Sequence, residues 1–341
     1  MKWGATVSRK SNGEMQNLVF LTYMSRSGST LLARLLSEYS DIGVSLEADL
    51  PDGILHEGMH IESVDDIHAI LDRLYSNAKF VAWNIGRKSL GEELLKTDFP
   101  IGFGGLLNVL LNEYFKKENP KIHIYKCGEY IWHIDTLRKI FPDAKFIFIL
   151  RDVRAVYNSQ KAAYRSKDGK PMASYPIIAA ALFNRLPLTI EKQPKNDWLY
   201  VLKYEDLVSN GENEIIKLLY FLGSSTKKTR GDYYDRIPLE QKHLHANIRN
   251  PPQENRVRAW QYELTKTELV TIQNIAGDTL TRYGYELVET ERLSFKEGIV
   301  YFMYWAKYLG RLIRKMAVKV SRFILPEAWY LWVEKHLSVY L

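Results

Sequence analysis

Residues 18–32 read LVFLTYMSRSGSTLL, and this stretch decides the fold. LVFLTY is an unbroken, mostly apolar run of strand length, the pattern of a strand buried on both faces of a parallel sheet. From Ser29 a Leu-rich helical pattern begins, and a Ser/Gly loop joins the two. At such a turn the first backbone N–H groups of the helix, and its dipole, favour an anion. Gly28 permits close backbone approach, Ser27, Ser29 and Thr30 supply hydroxyl donors, and Arg26 supplies a rigid guanidinium fork. The Walker pattern GxxxxGK[ST] is absent, so no Lys-Ser pair is available to place a magnesium-bound nucleotide. A Ser-rich helix cap would account for the loop alone. Its place behind a buried strand is what points to an anion.

A second strand–helix element follows in Ala144–Gln160, AKFIFILRDVRAVYNSQ, with Arg151 at the strand end and Ser159 two turns on. Such a pair can grip a second anion outside the carboxyl ends of the strands, where open α/β sheets bind ligands. The plain alternative is that Arg151 pairs with a carboxylate such as Asp152. Strands are expected at Leu18–Tyr23, Ile42–Leu46, Ile122–Lys126, Lys145–Leu150 and Trp198–Lys203. Helices are expected at Ser29–Tyr39, Tyr130–Phe141, Val153–Arg165, Met172–Glu191, Glu212–Phe221 and Lys266–Tyr283. Amphipathic pieces at Val64–Tyr75, Leu90–Lys96 and Leu106–Lys116 read as an elaboration packed on the sheet. This alternation predicts an α/β, three-layer, P-loop-like fold with a central, mostly parallel sheet and a C-terminal helical extension. The expected division is an N-terminal segment 1–16, a main domain 17–290 and basic amphipathic helices over 291–341.

The chain has 341 residues and a net charge of +7. Lys296–Leu341 carries eight Lys/Arg against three Asp/Glu, so the preceding residues carry only +2. A nearly neutral body argues against broad nucleic-acid binding. One cysteine, Cys127, excludes an internal disulfide framework, and the first residues lack the apolar core of a signal peptide, so a cytoplasmic protein is expected. In the tail, Lys307, Arg311, Arg314, Lys315 and Arg322 recur on one helix face. Phe302, Met303, Leu309, Ile313 and Val320 take the other, Pro326 ends the helix, and EAWYLWVEKHLSVYL is again amphipathic. The tail either docks on the domain or a second subunit, or lies on an anionic membrane as a peripheral helix.

Together the two anion elements resemble the sulfotransferases that use 3′-phosphoadenosine 5′-phosphosulfate (PAPS). RSGSTLL resembles their 5′-phosphosulfate loop, in the arginine form of the carbohydrate and tyrosylprotein branches. Arg151 and Ser159 are similar to the family's 3′-phosphate pair, including the spacing. LKYEDLV, Leu202–Val208, resembles the segment whose tyrosine sits by the adenine, and RVRAWQYELT precedes a last helix ending in YGYE. The resemblance covers residues 17–288. It implies that Ser27–Thr30 hold the 5′-phosphate and that Arg26 neutralises charge on the bridging oxygen. It also places Lys126 by the transferring sulfuryl group, Tyr204 at the adenine, and Arg256 (with Arg258) near the 3′-phosphate, although the family's basic-glycine signature is not reproduced there. The cytosolic branch carries a histidine two residues after the lysine, where this chain has Gly128. In the other branches a glutamate follows the second strand, which makes Glu47 the expected base, its pKa raised by partial burial, with Glu129 in reserve. His123, His133, His243 and His245 are further candidates. No metal-ligand spacing occurs, so no metal is expected.

The implied reaction is sulfuryl transfer from PAPS to a hydroxyl, leaving 3′-phosphoadenosine 5′-phosphate (PAP). Between residues 48 and 115, His56, His60, Trp83, Arg87, Lys88, Phe99 and Phe103 suit a glycan or glycolipid acceptor first and a lipophilic alcohol such as a steroid second. A magnesium-dependent kinase, or a non-catalytic glycan-binding or membrane-docking protein of the same fold, are the rivals. The partners expected are PAPS, the acceptor, and a membrane surface or second copy at the tail, with no nucleic acid.

Overall fold

The computed structural model describes residues 17–48, 50, 60–164, 169–173, 175–193, 197–224, 227–228, 233–242 and 254–324. His56, His243, His245, Pro326 and the closing EAWYLWVEKHLSVYL lie outside them. In chain order the elements are β1 (Leu18–Tyr23), α1 (Ser29–Leu36), β2 (Ile42–Val44), α2 (Val64–Tyr75), α3 (Ala78–Val81), α4 (Arg87–Leu95) and α5 (Phe103–Phe115). Then come β3 (Ile122–Lys126), a 3-10 turn (Gly128–His133), α6 (Ile134–Ile140), β4 (Lys145–Leu150), α7 (Val153–Ala162), α8 (Ile177–Asn184), α9 (Leu186–Ile190) and β5 (Leu199–Lys203). The last are α10 (Tyr204–Ser209), α11 (Gly211–Leu222), α12 (Tyr233–Arg236), α13 (Leu239–Lys242), α14 (Asn255–Arg258), α15 (Trp260–Glu263), α16 (Lys266–Arg282) and α17 (Phe295–Ile324).

The sheet has five strands in the order β2-β3-β1-β4-β5, every pair parallel. β1 is central, buried at all six positions, and registers Leu21 with Lys126 on β3 and with Ile147 on β4. The order reverses beside β1, so the loops after β1, β3 and β4 open at one crevice at the carboxyl edge of the sheet, where open α/β sheets hold ligands. Phe20 fixes this centre, its ring 5.0 Å from Phe146, 5.6 Å from Phe141 and 6.0 Å from Tyr130.

Several expected elements differ in extent; the helix expected over Ser29–Tyr39, for example, ends at Leu36. β2 stops at Val44 because side chains take over the polar groups of Leu46, as shown below. The expected helix over Tyr130–Phe141 starts as the 3-10 turn, and Met172–Glu191 is two shorter helices, α8 and α9. Pro187 sits in the first turn of α9, where its missing N–H costs nothing and a continuous helix would have needed it.

The chain forms two compact units. The first comprises Met1–Arg151 and Gln193–Glu254, and the second Asp152–Lys192 and Asn255–Leu341. The first contains the sheet. In the second, Arg154 is 2% exposed: its guanidinium grips Asp152 (2.8–3.1 Å), reaches Gln273 (3.0 Å) and lies 3.9 Å over the Trp260 ring. A buried charge is tolerated there because every face of it is matched. α16 begins with a capping box between Thr265 and Glu268. Glu268 also accepts from Tyr157 (2.9 Å) and Lys161 (2.9 Å), tying α7 to α16. α17 packs on α16 and α8.

Candidate active site

The loop after β1 turns through two left-handed residues, Arg26 (φ 73°) and Gly28 (φ 96°). The Ser27 N–H closes the turn onto the Met24 carbonyl (3.1 Å), and the Leu32 N–H starts α1 on the Gly28 carbonyl (3.1 Å). Left-handed backbone is uncommon for arginine. Here the Arg26 carbonyl accepts a hydrogen bond from Nη1 of Arg151 (2.9 Å), which pins it. Glycine at 28 is required twice over, by its φ and because a Cβ would stand 2.3 Å from Cδ2 of Tyr204. The Tyr204 ring thus lies against the loop, and the Arg151 guanidinium stacks on it with Cζ 4.1 Å from the centroid. Loop, strand-end arginine and YEDL tyrosine, far apart in sequence, form one interlocked cluster. Asp152, the carboxylate expected for Arg151 on the plain reading, is gripped by Arg154.

Ser27, Ser29 and Thr30 are buried, and the Ser27 hydroxyl makes no hydrogen bond among the described residues. A buried hydroxyl without a partner is costly, and an anion at this helix N-terminus would satisfy it. The residues present therefore fit a phosphate-bearing co-substrate.

Lys126, at the end of β3, connects this loop to a carboxylate. It is 4% exposed, its Nζ donating to Oγ1 of Thr30 (3.2 Å), 3.8 Å from Glu47 and 5.4 Å over the Tyr23 ring. Burial pushes its pKa down; Glu47 opposes that, while Lys79 and Arg26 add to it. Glu47 is bonded on both oxygens, by Lys79 (2.6 Å) on one and by the Tyr23 hydroxyl on the other. Burial alone would raise its pKa, as the sequence suggested, but Lys126 and Lys79 together with the two hydrogen bonds outweigh it and hold the carboxyl down at about 2. The expected raised pKa is thus reversed in sign. A carboxylate one third exposed between two lysines is a firm anion.

The backbone carrying Glu47 is held by aromatic side chains. The Tyr114 hydroxyl accepts from the Leu46 N–H (3.1 Å), and Nε1 of Trp83 donates to the Leu46 carbonyl (3.0 Å). The Tyr125 hydroxyl donates to the Ala48 carbonyl (2.7 Å), and Tyr233 reaches the Ser45 carbonyl at 3.4 Å. Burial pushes the Tyr114 phenol up to about 12, so it stays a neutral hydrogen-bonding group. The Ser45 hydroxyl accepts from the Lys126 N–H (3.1 Å), which couples the glutamate segment to the lysine strand.

Gly128 receives its physical reason here. A Cβ at this position would lie 2.6 Å from the Tyr23 carbonyl oxygen and 2.9 Å from its ring. Tyr23 occupies the space a side chain at position 128 would need. Of the other base candidates, Glu129 is exposed in the 3-10 turn and His133 closes it, while His123 packs its ring 5.3 Å from Phe115. Ser159 is half-buried on α7 and Arg256 exposed on α14, both in the second unit, as is the exposed Arg258.

The acceptor candidates fare differently. Trp83 and Phe103 are buried, the first as a backbone clamp and the second in the core with Tyr130 and Phe141. Arg87 pairs with Asp72 (2.5 Å), and Lys88 lies 3.8 Å from Glu92 on α4. Phe99 and His60 are exposed. Sequence reasoning passed over Lys79, Tyr23, Tyr114 and Tyr233. Tyr23 carried a signal, a polar tip at the carboxyl end of a buried strand. Lys79 carried little, since it sits in a four-residue helix capped by Asn77. Among the described residues, no group of three or more His, Cys, Asp or Glu is placed to hold a metal ion.

An anion turn at the carboxyl end of a central parallel strand, backed by a buried lysine and a carboxylate, defines a P-loop-like group-transfer fold. The sequence matches the profile of the Sulfotransferase family over residues 19–228, and the chain belongs to that family. It is 26% identical over 211 residues to the omega-hydroxy-beta-dihydromenaquinone-9 sulfotransferase Stf3 of Mycobacterium tuberculosis and Mycobacterium bovis, covering 57% of this chain and 49% of the relative. It is 25% identical over 303 residues to the nodulation protein NoeE of Sinorhizobium fredii, covering 79% of this chain and 66% of that one. The chain therefore spans about half the length of Stf3. The fold is also that of the sulfotransferase domain of the Synechococcus PCC 7002 olefin synthase (TM-score 0.54, 18% identity, 82% of this chain and 99% of that one). The sulfotransferase domain of the curacin biosynthetic pathway is similar (TM-score 0.50, 17% identity, 81% and 100%).

Proposed function

We propose that the protein transfers a sulfuryl group from PAPS to a hydroxyl carried on a lipid, either a glycolipid or a lipophilic alcohol. The observation that carries this reading is Lys126, whose ammonium stands 3.2 Å from the anion loop at Thr30 and 3.8 Å from Glu47. One cation thus faces both the donor side and the acceptor side. PAPS, when bound, supplies the sulfuryl group on its 5′-phosphate. Ser27–Thr30 would hold that phosphate through the loop amides and hydroxyls, with Arg151 and Tyr204 holding the nucleotide behind them. Ser159 and Arg256 are assigned to the 3′-phosphate on the family resemblance alone.

The S–O bond to the phosphate breaks as the bond to the acceptor oxygen forms, so negative charge grows on the leaving phosphate. Arg26 and Lys126 place positive charge for it. The acceptor hydroxyl must lose its proton, and Glu47 is the residue assigned to take it. A carboxylate held at about 2 is badly matched to proton transfer at neutral pH. Loss of the Lys79 contact on acceptor binding would remove one of the causes, after Lys126, that hold it down.

The acceptor class rests on the relatives. Trp83, Phe103 and Arg87, expected to suit a glycan, a glycolipid or a lipophilic alcohol alike, are engaged within the protein and do not choose among these. The Stf3 relatives are named for a hydroxyl on a menaquinone lipid. Calorimetry with PAP in the presence of EDTA tests the reaction class: binding without metal is expected, weakened by Arg151→Ala, and no binding would overturn it. Transfer of radiolabel from PAPS to a panel of glycolipids, polyprenyl alcohols, sterols and free glycans tests the acceptor. Labelling confined to free glycans would exclude a lipid.

A further inference from the structure

α17 is 30 residues long, about 45 Å at 1.5 Å per residue. Phe295, Ile299, Phe302, Ala306, Leu309, Ile313, Met316 and Val320 recur along it in strict four- and three-residue steps, so they form one continuous stripe. All eight are exposed: Phe295 is 85% exposed, Phe302 72%, Ile313 66% and Met316 66%. The helix meets its own unit through another edge. Tyr301, Tyr304, Trp305 and Tyr308 are half-buried, and the Tyr304 phenol is pushed up by burial and by Glu268 of α16. The apolar stripe is left on the outside. Lys296, Lys307 and Arg314, all exposed, follow each other at 11- and 7-residue steps and therefore line one margin of it.

We propose that this face of α17 docks the protein in the plane of an anionic membrane, the stripe in the acyl boundary and the basic margin at the headgroups. Two occupants could cover an apolar stripe of this spacing, a lipid surface or the same stripe of a second copy. Charge decides between them. The helix carries seven Lys/Arg against the single acid Glu297, and Glu297 is engaged at its own helix start with Ser294 and Lys266. A second copy would bring the same margin of Lys296, Lys307 and Arg314 beside it, with no acid on the helix but the engaged Glu297 to cross-pair. An anionic surface complements both the charge and the apolar face. No helix among the described residues is long and apolar enough to cross a membrane, so contact is in the plane rather than across it.

The inference stands apart from the sulfuryl-transfer reading, because its test needs no turnover. The full chain is sedimented with vesicles of phosphatidylcholine alone and of phosphatidylcholine with phosphatidylglycerol. Binding to the anionic vesicles is expected, falling as salt rises. Ile313→Asp with Met316→Asp should abolish it, while leaving PAP binding and circular dichroism unchanged, since both side chains are exposed. Lys307→Ala with Arg314→Ala should weaken it on the order of 30-fold, about fivefold per charge near an anionic surface. Failure to bind anionic vesicles overturns the proposal, and so does equal binding to neutral ones. A dimer in light scattering that Ile313→Asp dissolves would assign the face to a second copy and overturn it as well.

Discussion

At the scale of single residues, the site is governed by how three groups share one carboxylate. Glu47 accepts from Lys79 and Tyr23 and faces Lys126, and its ionised form is held accordingly. Removing Lys79 takes away one cation and one hydrogen bond and leaves the burial that favours the neutral acid. The Glu47 pKa must then rise from about 2 toward the ordinary range. In Lys79→Met, the acid limb of the kcat/KM profile should move to higher pH, whereas Lys79→Arg should restore it. A limb that does not move would remove Lys79 from any influence on the base. Glu47→Gln should abolish transfer while PAP binding is kept, as measured by single-turnover labelling. Full turnover in that variant would make another group the base. Glu47 was singled out through the family resemblance, and the raised pKa expected from its burial has the wrong sign. That sign depends on Lys79, 32 residues away, and on Tyr23, which no local pattern joins to it.

At the scale of elements, strands were the most legible part. β1, β3 and β4 were read with their observed bounds, because strands buried in a parallel sheet are continuous apolar runs. β2 was read too long at Leu46, where the ladder gives way to hydrogen bonds with Tyr114 and Trp83. That exchange is non-local and leaves no mark in the strand itself. It also has a consequence for function, since those side chains set where Glu47 stands. Trp83→Phe keeps the ring but leaves the buried Leu46 carbonyl short of a donor, at a cost of about 1–3 kcal/mol. The expected result is a lower denaturation midpoint and a lower kcat with little change in PAP affinity. Unchanged kcat would mean that the Glu47 segment keeps its position without the clamp. The 3-10 turn after β3 gives the complementary case. Gly128→His would drive a side chain into the Tyr23 backbone and should destabilise the protein by roughly 1–3 kcal/mol without creating a histidine base.

At the scale of the whole molecule, acid stability is divided between carboxylates in separate units. Glu47 belongs to the first, and Glu268 to the second. Burial favours the neutral form of Glu268, but hydrogen bonds from Lys161, the Thr265 backbone and Tyr157 hold its pKa below the ordinary carboxylate value. A carboxyl with a depressed folded-state pKa binds its proton more weakly folded than unfolded. It therefore contributes stability that is complete above the unfolded pKa of about 4.5 and is lost as pH falls through the folded value. Both units should accordingly weaken below about pH 4.5. Glu268→Gln separates them, because glutamine can keep the capping box at the start of α16 yet cannot titrate. This variant should be less stable than the parent at pH 7, with the gap closing as pH is lowered through the carboxylate range. Hydrogen exchange should place the loss in α7 and α16, with PAP affinity unchanged at neutral pH. If the gap between parent and variant were the same at pH 3 as at pH 7, the acid sensitivity of the second unit would not originate at Glu268.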